Sequence, residues 1–178
     1  PQSAERKHSM VDPLAELAAV HIDYHIPKDR DPDHYPLDML SIVLGDGESS
    51  RLYQKLVKEK EILQEITVST DSRRGPDLFS FWAICSAGQK PEAAQAVIFD
   101  ELKSIATKGI TARELEKAKN RVRAEVGFGL ESNLSRASRL AEYEVYFGVA
   151  KLLRRGLDKY HAARADSVTR VGGQGFAP

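Results

Sequence analysis

The sequence predicts an α+β domain in which an antiparallel-rich sheet packs against helices. Three observations support this prediction. One strand pattern near the start precedes two helical segments, two further strand patterns flank a turn at Gly75, and helical periodicity dominates from Pro91 onward. We expect a single domain over residues 1–171, and we expect the glycine-rich residues 172–178 to form a flexible tail.

Composition and charge exclude several classes of partner. Apolar residues make up 42% of the chain, which is typical of a globular domain. The 26 basic residues balance 26 acidic ones, so no net field attracts the chain to nucleic acid or to an anionic membrane. The doubled arginines at 73–74 and 154–155 lack interleaved aromatic residues, and no apolar run approaches the ~20 residues that span a bilayer. We therefore expect neither nucleic acid nor a membrane as a partner.

The single cysteine, Cys85, limits redox and metal chemistry. One cysteine cannot form an intramolecular disulfide or, alone, a thiolate metal site. It ends an aromatic and β-branched run that is typical of a buried strand, where a free cysteine usually packs as a small apolar residue. We therefore interpret Cys85 as a packing residue and not as a nucleophile.

The first strand and the first helix are predicted from two different spacings of apolar residues. Residues 20–26 alternate apolar and polar side chains, which predicts a strand with one buried face, and Pro27 ends it. Residues 37–44 predict a mostly buried helix, with Asp33 as a possible cap and Gly45 just past its end. The helical spacing is carried by Leu37, Leu40 and Leu44.

Residues 45–48 form a turn after this helix. Ser49 or Ser50 can then cap a short helix that buries Leu52 and Leu56. Two glycines in the turn are too short a signal for a nucleotide-binding loop. No histidine base lies near the serines in sequence, so we interpret them as helix caps and not as nucleophiles.

A β-hairpin is predicted over about residues 64 to 86. The segment 66–69 alternates apolar and polar residues, a breaker follows at 73–76, and residues 78–85 are rich in aromatic and branched side chains. Parallel strands need a crossover of about a dozen residues or more, so this short connection implies an antiparallel pair.

Helical periodicity returns in the second half of the chain. The segment 91–109 predicts one helix, and Thr111 and Glu114 match a capping box that begins the next. Gly127 and Gly129 interrupt its apolar stripe, giving one kinked helix or two abutting ones. The stripe comprises Leu115, Ala118, Val122 and Val126 before the glycines, and Leu130, Leu134, Ala137 and Ala141 after them. A last helix carries Leu153, Leu157 and Tyr160.

The five histidines lack the spacing of a metal site. His21 and His25 lie on the polar face of the predicted strand, about 13 Å apart at ~3.3 Å per residue, so they cannot share one ion. No acid or third ligand follows them at useful spacing. The other three, His8, His34 and His161, are isolated in sequence and polar in context. We expect all five at the surface.

The sequence also lacks the common catalytic motifs. No Gly-x-Ser-x-Gly elbow, no Gly-x-x-x-x-Gly-Lys-Ser/Thr loop and no His-Glu-x-x-His motif occurs in it. An unrelated hydrolase would need a nucleophile and a base that the sequence does not show. The residues by themselves therefore do not establish catalysis.

The segment 44–60 resembles the pitrilysin/insulinase family of zinc metallopeptidases. In that family a Leu-Gly-x-Gly-x-Ser-Ser-Arg-Leu signature begins the helix after the first strand. The matching residues here are Gly45, Gly47, Ser49, Ser50, Arg51 and Leu52. Segments 33–38, 109–120 and 140–144 add to a likeness that covers about residues 5 to 171. We expect Arg51 to be structural, because it follows the serines and can reach neighbouring carboxylates or carbonyls.

The resemblance implies repeated α+β half-domains, of which the first carries an inverted His-x-x-Glu-His zinc motif with the glutamate as general base. This chain has the fold signature and none of the zinc-motif residues, so the resemblance implies a zinc-free half. We expect no cofactor on this chain and zinc in a homologous partner half, in the same parent chain or in a partner subunit. This half would wall a peptide-binding chamber, and alone it would not cut peptides.

Two departures from the family pattern refine this expectation. Family active sites take an arginine and a tyrosine from the last half-domain, and the corresponding positions here are Val57 and Gln64. Neither can donate as arginine or tyrosine would, which favours the second half of the zinc-bearing unit. Residues 166–171 resemble a helix that the family follows with one more strand, so we expect a truncated C-terminus and a missing strand.

A second function stays open on the same resemblance. Some family members serve as structural subunits of a respiratory complex, so the chain is alternatively a structural or assembly module without a proteolytic role. A neighbouring reading frame with His-x-x-Glu-His would favour the peptidase half over the assembly module.

Overall fold

A computed structural model of the chain describes residues 4–71, 73–150, 152–174 and 176. The described elements combine one small sheet with many helices, which confirms the α+β fold class. In chain order they are β1 (Ala19–Ile26), α1 (His34–Gly45), a π-helix (Tyr53–Glu59), β2 (Leu63–Thr70), β3 (Asp77–Cys85), α2 (Pro91–Lys108), α3 (Ala112–Gly129), α4 (Asn133–Phe147), α5 (Leu152–Ala162) and α6 (Ala165–Gln174). None of these helices is long and apolar enough to cross a bilayer.

The sheet has the strand order β1-β3-β2, and both pairings are antiparallel. The predicted hairpin of β2 and β3 is therefore confirmed. Strand β3 is central because it pairs with both β1 and β2, and most of its inward residues are almost completely buried. Phe79, Phe81, Ala83 and Cys85 are each at most 1% exposed. The buried position of Cys85 confirms its role as a packing residue.

Helix α1 approaches β2 very closely at Gly45. A Cβ atom on Gly45 would lie 2.4 Å from Cγ2 and 2.8 Å from the backbone nitrogen of Val68. Only glycine avoids this overlap, so the residue brings the end of α1 onto the sheet. Gly45 is the last residue of α1 and Asp46 is its C-cap, one position later than the sequence predicted.

Two of the predicted N-caps, Thr111 and Asp33, behave differently. Thr111 forms the expected capping box: its Oγ1 accepts a hydrogen bond from the Glu114 amide at 3.2 Å, and Glu114 Oε2 accepts one from the Thr111 amide at 2.7 Å. Asp33 occupies the N-cap of α1 without a capping bond. Its carboxylate instead accepts hydrogen bonds from Arg170 of α6.

The glycine-interrupted stripe resolves into two helices. Helix α3 runs through Gly127 and ends at Gly129, and Ser132 caps α4 by accepting a hydrogen bond from the Ser135 amide. Helix α3 buries Ala118 and Val122, whereas no residue of α4 is buried. The apolar period of α4 thus predicts its helix correctly, although the domain itself does not cover that stripe.

The chain remains ordered into α6 beyond the predicted domain end. Helix α6 continues to Gln174, and its residue Gly172 is buried with its Cβ position 3.1 Å from Ile105. Phe176 is 7% exposed, and its ring centroid lies 4.8 Å from that of Tyr24. Residues 172–174 and 176 thus pack against the domain, and the flexibility expected of residues 172–178 stays a prediction.

Candidate functional site

The signature residues Gly45 to Leu52 form the connection between α1 and the π-helix. Gly47 has a φ of 75°, a left-handed conformation that favours glycine, and its carbonyl accepts a hydrogen bond from the Ser50 amide at 3.1 Å. Ser50 and Leu52 are 0% exposed. The Ser50 hydroxyl has no partner among the described residues, so the expected serine cap is not formed by its side chain.

Arg51 is the centre of an ionic cluster that joins three parts of the chain. Its Nε and Nη2 donate to the two carboxylate oxygens of Glu114 in α3, at 2.5 and 2.8 Å. Its Nη1 donates to Glu101 of α2 at 2.9 Å, and Nη2 also donates to the carbonyl of Gly109 at 3.2 Å. This bidentate geometry is the strong form of an arginine–carboxylate contact.

Hydrogen bonds within the cluster stabilise the charged forms of its side chains. The hydrogen bonds from Arg51 lower the pKa of Glu114 to about 2 against the opposing effect of burial, with Thr111 contributing further hydrogen bonds. Reciprocally, the bonds to Glu114 raise the pKa of Arg51, although burial opposes this. Glu101 is only 2% exposed and also accepts a hydrogen bond from Lys55. A buried carboxylate is tolerated here because two cations pair with it.

A second polar cluster surrounds His34, and here the sequence-based expectation was wrong. His34 is 1% exposed, whereas its polar context suggested the surface. Its Nε2 lies 3.0 Å from the Asp77 carboxylate and 3.1 Å from the Asp71 carbonyl. The partners come from the β2–β3 hairpin, far away in sequence, and they make burial of the imidazole possible. The remaining four histidines are exposed as expected.

Asp38, one helical turn after His34, extends this cluster towards the surface. Its Oδ2 lies 3.9 Å from His34 Nδ1, and its carboxylate accepts hydrogen bonds from Thr70 and Tyr160. Burial raises the pKa of Asp38, and the two hydrogen bonds oppose that rise. Burial favours a lower pKa for His34, but Asp38 and the Asp77 bond outweigh it and the pKa is raised. The only sequence signal for this group was the i,i+4 spacing of His34 and Asp38.

Asp38 and Tyr160 open onto a cleft of about 770 Å³. Its walls come from α1, β2, α3, α4 and α5. Arg30 lies over the rings of Tyr143 and Phe147, with its guanidinium carbon 4.5 and 3.9 Å from their centroids. The lining therefore combines stacked aromatic residues with charged groups.

The charges of the cleft are only partly neutralised within the domain. Arg121 pairs with Asp46 at 2.8 Å. Arg74 and Arg139 line the same cleft, and neither makes an ion pair or a side-chain hydrogen bond within the described part of the chain. Unpaired guanidinium groups in a concave surface can bind carboxylates or carbonyl groups of a ligand.

Two further positions, Val57 and Gln64, are predicted to correspond to the family's arginine and tyrosine. Val57 is half-buried in the π-helix and packs against the core. Gln64 is exposed in β2, where the register shifts between Leu63 and Glu65. Neither side chain can supply the expected cationic or phenolic donor, and their equivalence to the family positions stays a prediction.

The described residues do not fit a zinc ion. Among them, no group of three histidine, cysteine, aspartate or glutamate side chains is placed to hold a metal. A catalytic zinc site needs three such ligands and an open position. His34 Nε2 is already engaged by Asp77 and the Asp71 carbonyl. The described residues therefore provide no ligand set for metal-assisted hydrolysis.

Comparison with known proteins agrees with this chemistry. Residues 1–122 match the family model described as the peptidase M16 inactive domain. A zinc protease of Helicobacter pylori, PqqE, is 32% identical over 129 residues, which is 72% of this chain and 29% of the relative. The chain therefore spans less than a third of that protein's length.

Solved structures show the same fold. A protease from Helicobacter pylori aligns with a TM-score of 0.85 and 26% identity, over 93% of this chain and 40% of that one. The inactive peptidase domain of a zinc protease from Bordetella parapertussis, described there as putative, aligns with a TM-score of 0.78 and 25% identity, over 87% and 82% of the two chains. The chain accordingly belongs to the inactive-domain family of the M16 peptidases, the pitrilysin/insulinase group of zinc metallopeptidases.

Proposed function

We propose that this chain is the non-catalytic half of a zinc metallopeptidase and that it walls a peptide-binding chamber opposite a zinc-bearing half. The observation that carries the proposal is the match to an inactive peptidase domain whose relatives are named zinc proteases. The chain contributes binding surface, and the zinc and its general base come from the partner half.

The cleft between β2 and α3–α5 is the surface that this role requires. A peptide is held by contacts along its length, so a wall needs aromatic faces and polar groups without prior partners. Tyr143 and Phe147 supply the faces, and Arg74 and Arg139 supply guanidinium groups that are unpaired within the described residues. Holding a peptide near the reacting centre raises the rate because it replaces a random encounter by a fixed geometry.

The first experiment measures zinc and peptide cleavage on the purified chain. We expect no stoichiometric zinc by elemental analysis and no hydrolysis of a quenched fluorescent peptide library. Chelator-sensitive cleavage by this chain alone would contradict the proposal, because the described residues offer no ligand set for such a reaction.

The second experiment adds the chain to a zinc-bearing half that carries His-x-x-Glu-His and is expressed as a separate polypeptide. We expect peptide cleavage to rise at least about tenfold on addition, since a single open half orients a peptide poorly. Full activity of the zinc-bearing half without this chain would leave the assembly module as the remaining function.

A further inference from the structure

The segment from Phe128 to Val149, which contains α4, concentrates large apolar side chains on the surface. Its members are at least 43% exposed: Phe128, Leu134, Leu140, Val145, Tyr146 and Val149. Helices α1, α2, α3 and α6 each bury apolar residues, whereas α4 buries none. Single exposed apolar residues are ordinary, but a cluster of this size marks an interaction surface.

One side of α4 carries a continuous apolar stripe. At ~100° per residue, four exposed residues fall on the same side of the helix, and we call them the α4 stripe. They are Leu134, Ala137, Ala141 and Val145. The opposite side carries Tyr143 and Phe147, which are partly buried and line the cleft. The stripe therefore points away from the body of the domain.

The surface shape of the stripe is suited to packing against a second helix. Two alanines occupy its middle, and the larger Leu134 and Val145 lie at its ends. Small side chains let the axis of a packed helix approach closely, at roughly 8–10 Å. The helix itself is well delimited, because Ser132 caps its start and Gly148 ends it in a left-handed conformation with a φ of 67°.

The border of the stripe is acidic. Viewed along the helix axis, Glu142 and Glu144 lie about 80° to either side of Leu134. Glu144 accepts a hydrogen bond from the Ala150 amide, and Glu142 makes no ion pair within the described residues. A second copy of the chain would bring acidic borders against each other, so the stripe favours a partner whose apolar helix face is bordered by lysine or arginine.

We propose that the α4 stripe is the docking surface for the zinc-bearing half, which presents an apolar helix face with a basic border. This inference rests on the proposed function. The related proteases are much longer than this domain, so in them the fold adjoins further chain that can cover α4. Since the other side of α4 lines the cleft, only the width of this helix, about 10 Å, separates a partner docked on the stripe from the proposed peptide-binding cleft.

The test compares the same substitution at two exposed leucines that lie about 120° apart around α4. Leu134→Glu places a charge in the stripe, and Leu140→Glu places the same charge at an exposed leucine outside it. The probe is the zinc-bearing half of the parent peptidase, expressed as a separate chain, and the dissociation constant is measured by calorimetry. We expect Leu134→Glu to weaken binding at least about tenfold and Leu140→Glu to change it less than about twofold.

A charge substitution sharpens the test. Glu142→Lys should weaken binding about three- to tenfold, and the loss should shrink at high salt because the contact is electrostatic. Circular dichroism checks that each variant keeps its fold, which the exposure of the three positions leads us to expect.

Two outcomes overturn the docking surface and leave the proposed function standing. One is equal binding by the wild-type chain and Leu134→Glu; the other is an equal loss of binding by Leu134→Glu and Leu140→Glu while the wild-type chain still stimulates peptide cleavage. The proposed function fails on a different readout, which is full cleavage by the zinc-bearing half alone.

Discussion

The body of the domain and helix α4 distribute polarity in opposite ways. In the body, charged and polar groups such as His34, Asp77 and Glu101 are at most 2% exposed and are paired with one another or with arginine and lysine. On α4, Leu134 and Val145 are 76% and 75% exposed. The body thus pairs its buried carboxylates internally, whereas α4 leaves its apolar groups uncovered.

This difference separates what the fold needs from what a partner needs. A buried carboxylate must find its cation within the domain, because an unpaired buried charge costs several kcal/mol, on the order of 3–5. An exposed leucine costs the isolated domain little, and its burial becomes favourable only when another surface covers it. Substitutions in the two regions should therefore affect different measurements: stability for the body, and association for α4.

The largest expected contrast comes from the same substitution in the two regions. Leu44→Ala removes a side chain that is 0% exposed and leaves a cavity, so we expect the free energy of unfolding to fall by about 2–5 kcal/mol. Leu134→Ala should change it by less than about 0.5 kcal/mol, since that side chain is already in water. Urea unfolding of the two variants measures both values. Equal losses would show that α4 is part of the cooperative core.

The ionic cluster gives the next contrast. Arg51→Ala leaves Glu101 buried with Lys55 as its remaining cation and removes the bidentate contact with Glu114, so we expect a loss of about 1–3 kcal/mol. Arg136 of α4 is exposed, and among the described residues its side chain bonds only to Asn133 of the same helix, so Arg136→Ala should change stability by less than about 0.5 kcal/mol. An unchanged melting temperature for Arg51→Ala would show that the arginine is not structural.

Alanine substitutions at two glycines should change the stability of the domain in opposite directions. Gly45→Ala forces a Cβ against the Val68 backbone nitrogen, 2.8 Å away, and overpacking of this kind costs about 1–3 kcal/mol. Gly127 lies inside α3 with no atom within 4 Å of its Cβ position, so Gly127→Ala should stabilise the domain by about 0.5–1 kcal/mol. Thermal unfolding distinguishes the two signs. Destabilisation by Gly127→Ala would show that the helix needs flexibility at this point.

The sequence predicted the secondary-structure elements better than it predicted their burial and tertiary contacts. Period-2 alternation predicted β1, and the Thr111–Glu114 box marked the start of α3, because each signal is contained within a few consecutive residues. The burial of His34 depends on Asp77, which lies 43 residues away, so no local sequence pattern indicated that His34 is buried. Likewise, the apolar stripe of α4 predicted a helix without revealing that the domain leaves this face open.

Local sequence patterns did not predict the cleft either. It forms only where α1 and β2 meet α3, α4 and α5, and its lining residues are spread from Asp29 to Tyr160. The signature around Arg51 was visible in sequence, but its partners Glu101 and Glu114 lie 50 and 63 residues away. Contacts at this separation are decided by packing of whole elements, which a single sequence does not display.

The smallest expected effect is a pH dependence that belongs to the body alone. Burial disfavours a charged His34, yet Asp38 and Asp77 outweigh it, and the pKa of His34 in the folded domain is raised above the unfolded value of 6.5. A raised pKa means that the folded state binds the proton more tightly, so this contribution to stability is complete below the unfolded value. It is lost as the pH rises through the folded pKa.

His34→Gln isolates this contribution because it keeps an amide donor without a titrating group. We expect the stability difference between the wild-type domain and the variant to be larger at about pH 5.5 than at about pH 8.5, as measured by urea unfolding at each pH. His25→Gln, on the exposed face of β1, keeps the buried network and should keep the pH profile of the wild-type domain.

The charged neighbours of His34 are Asp38 on its own helix, Asp77 at the start of β3 and Asp29 before α1, so all three carboxylates favour its protonation. A stability difference that is constant across this range would mean that His34 stays neutral in the folded domain, held by its bonds to Asp77 and the Asp71 carbonyl alone.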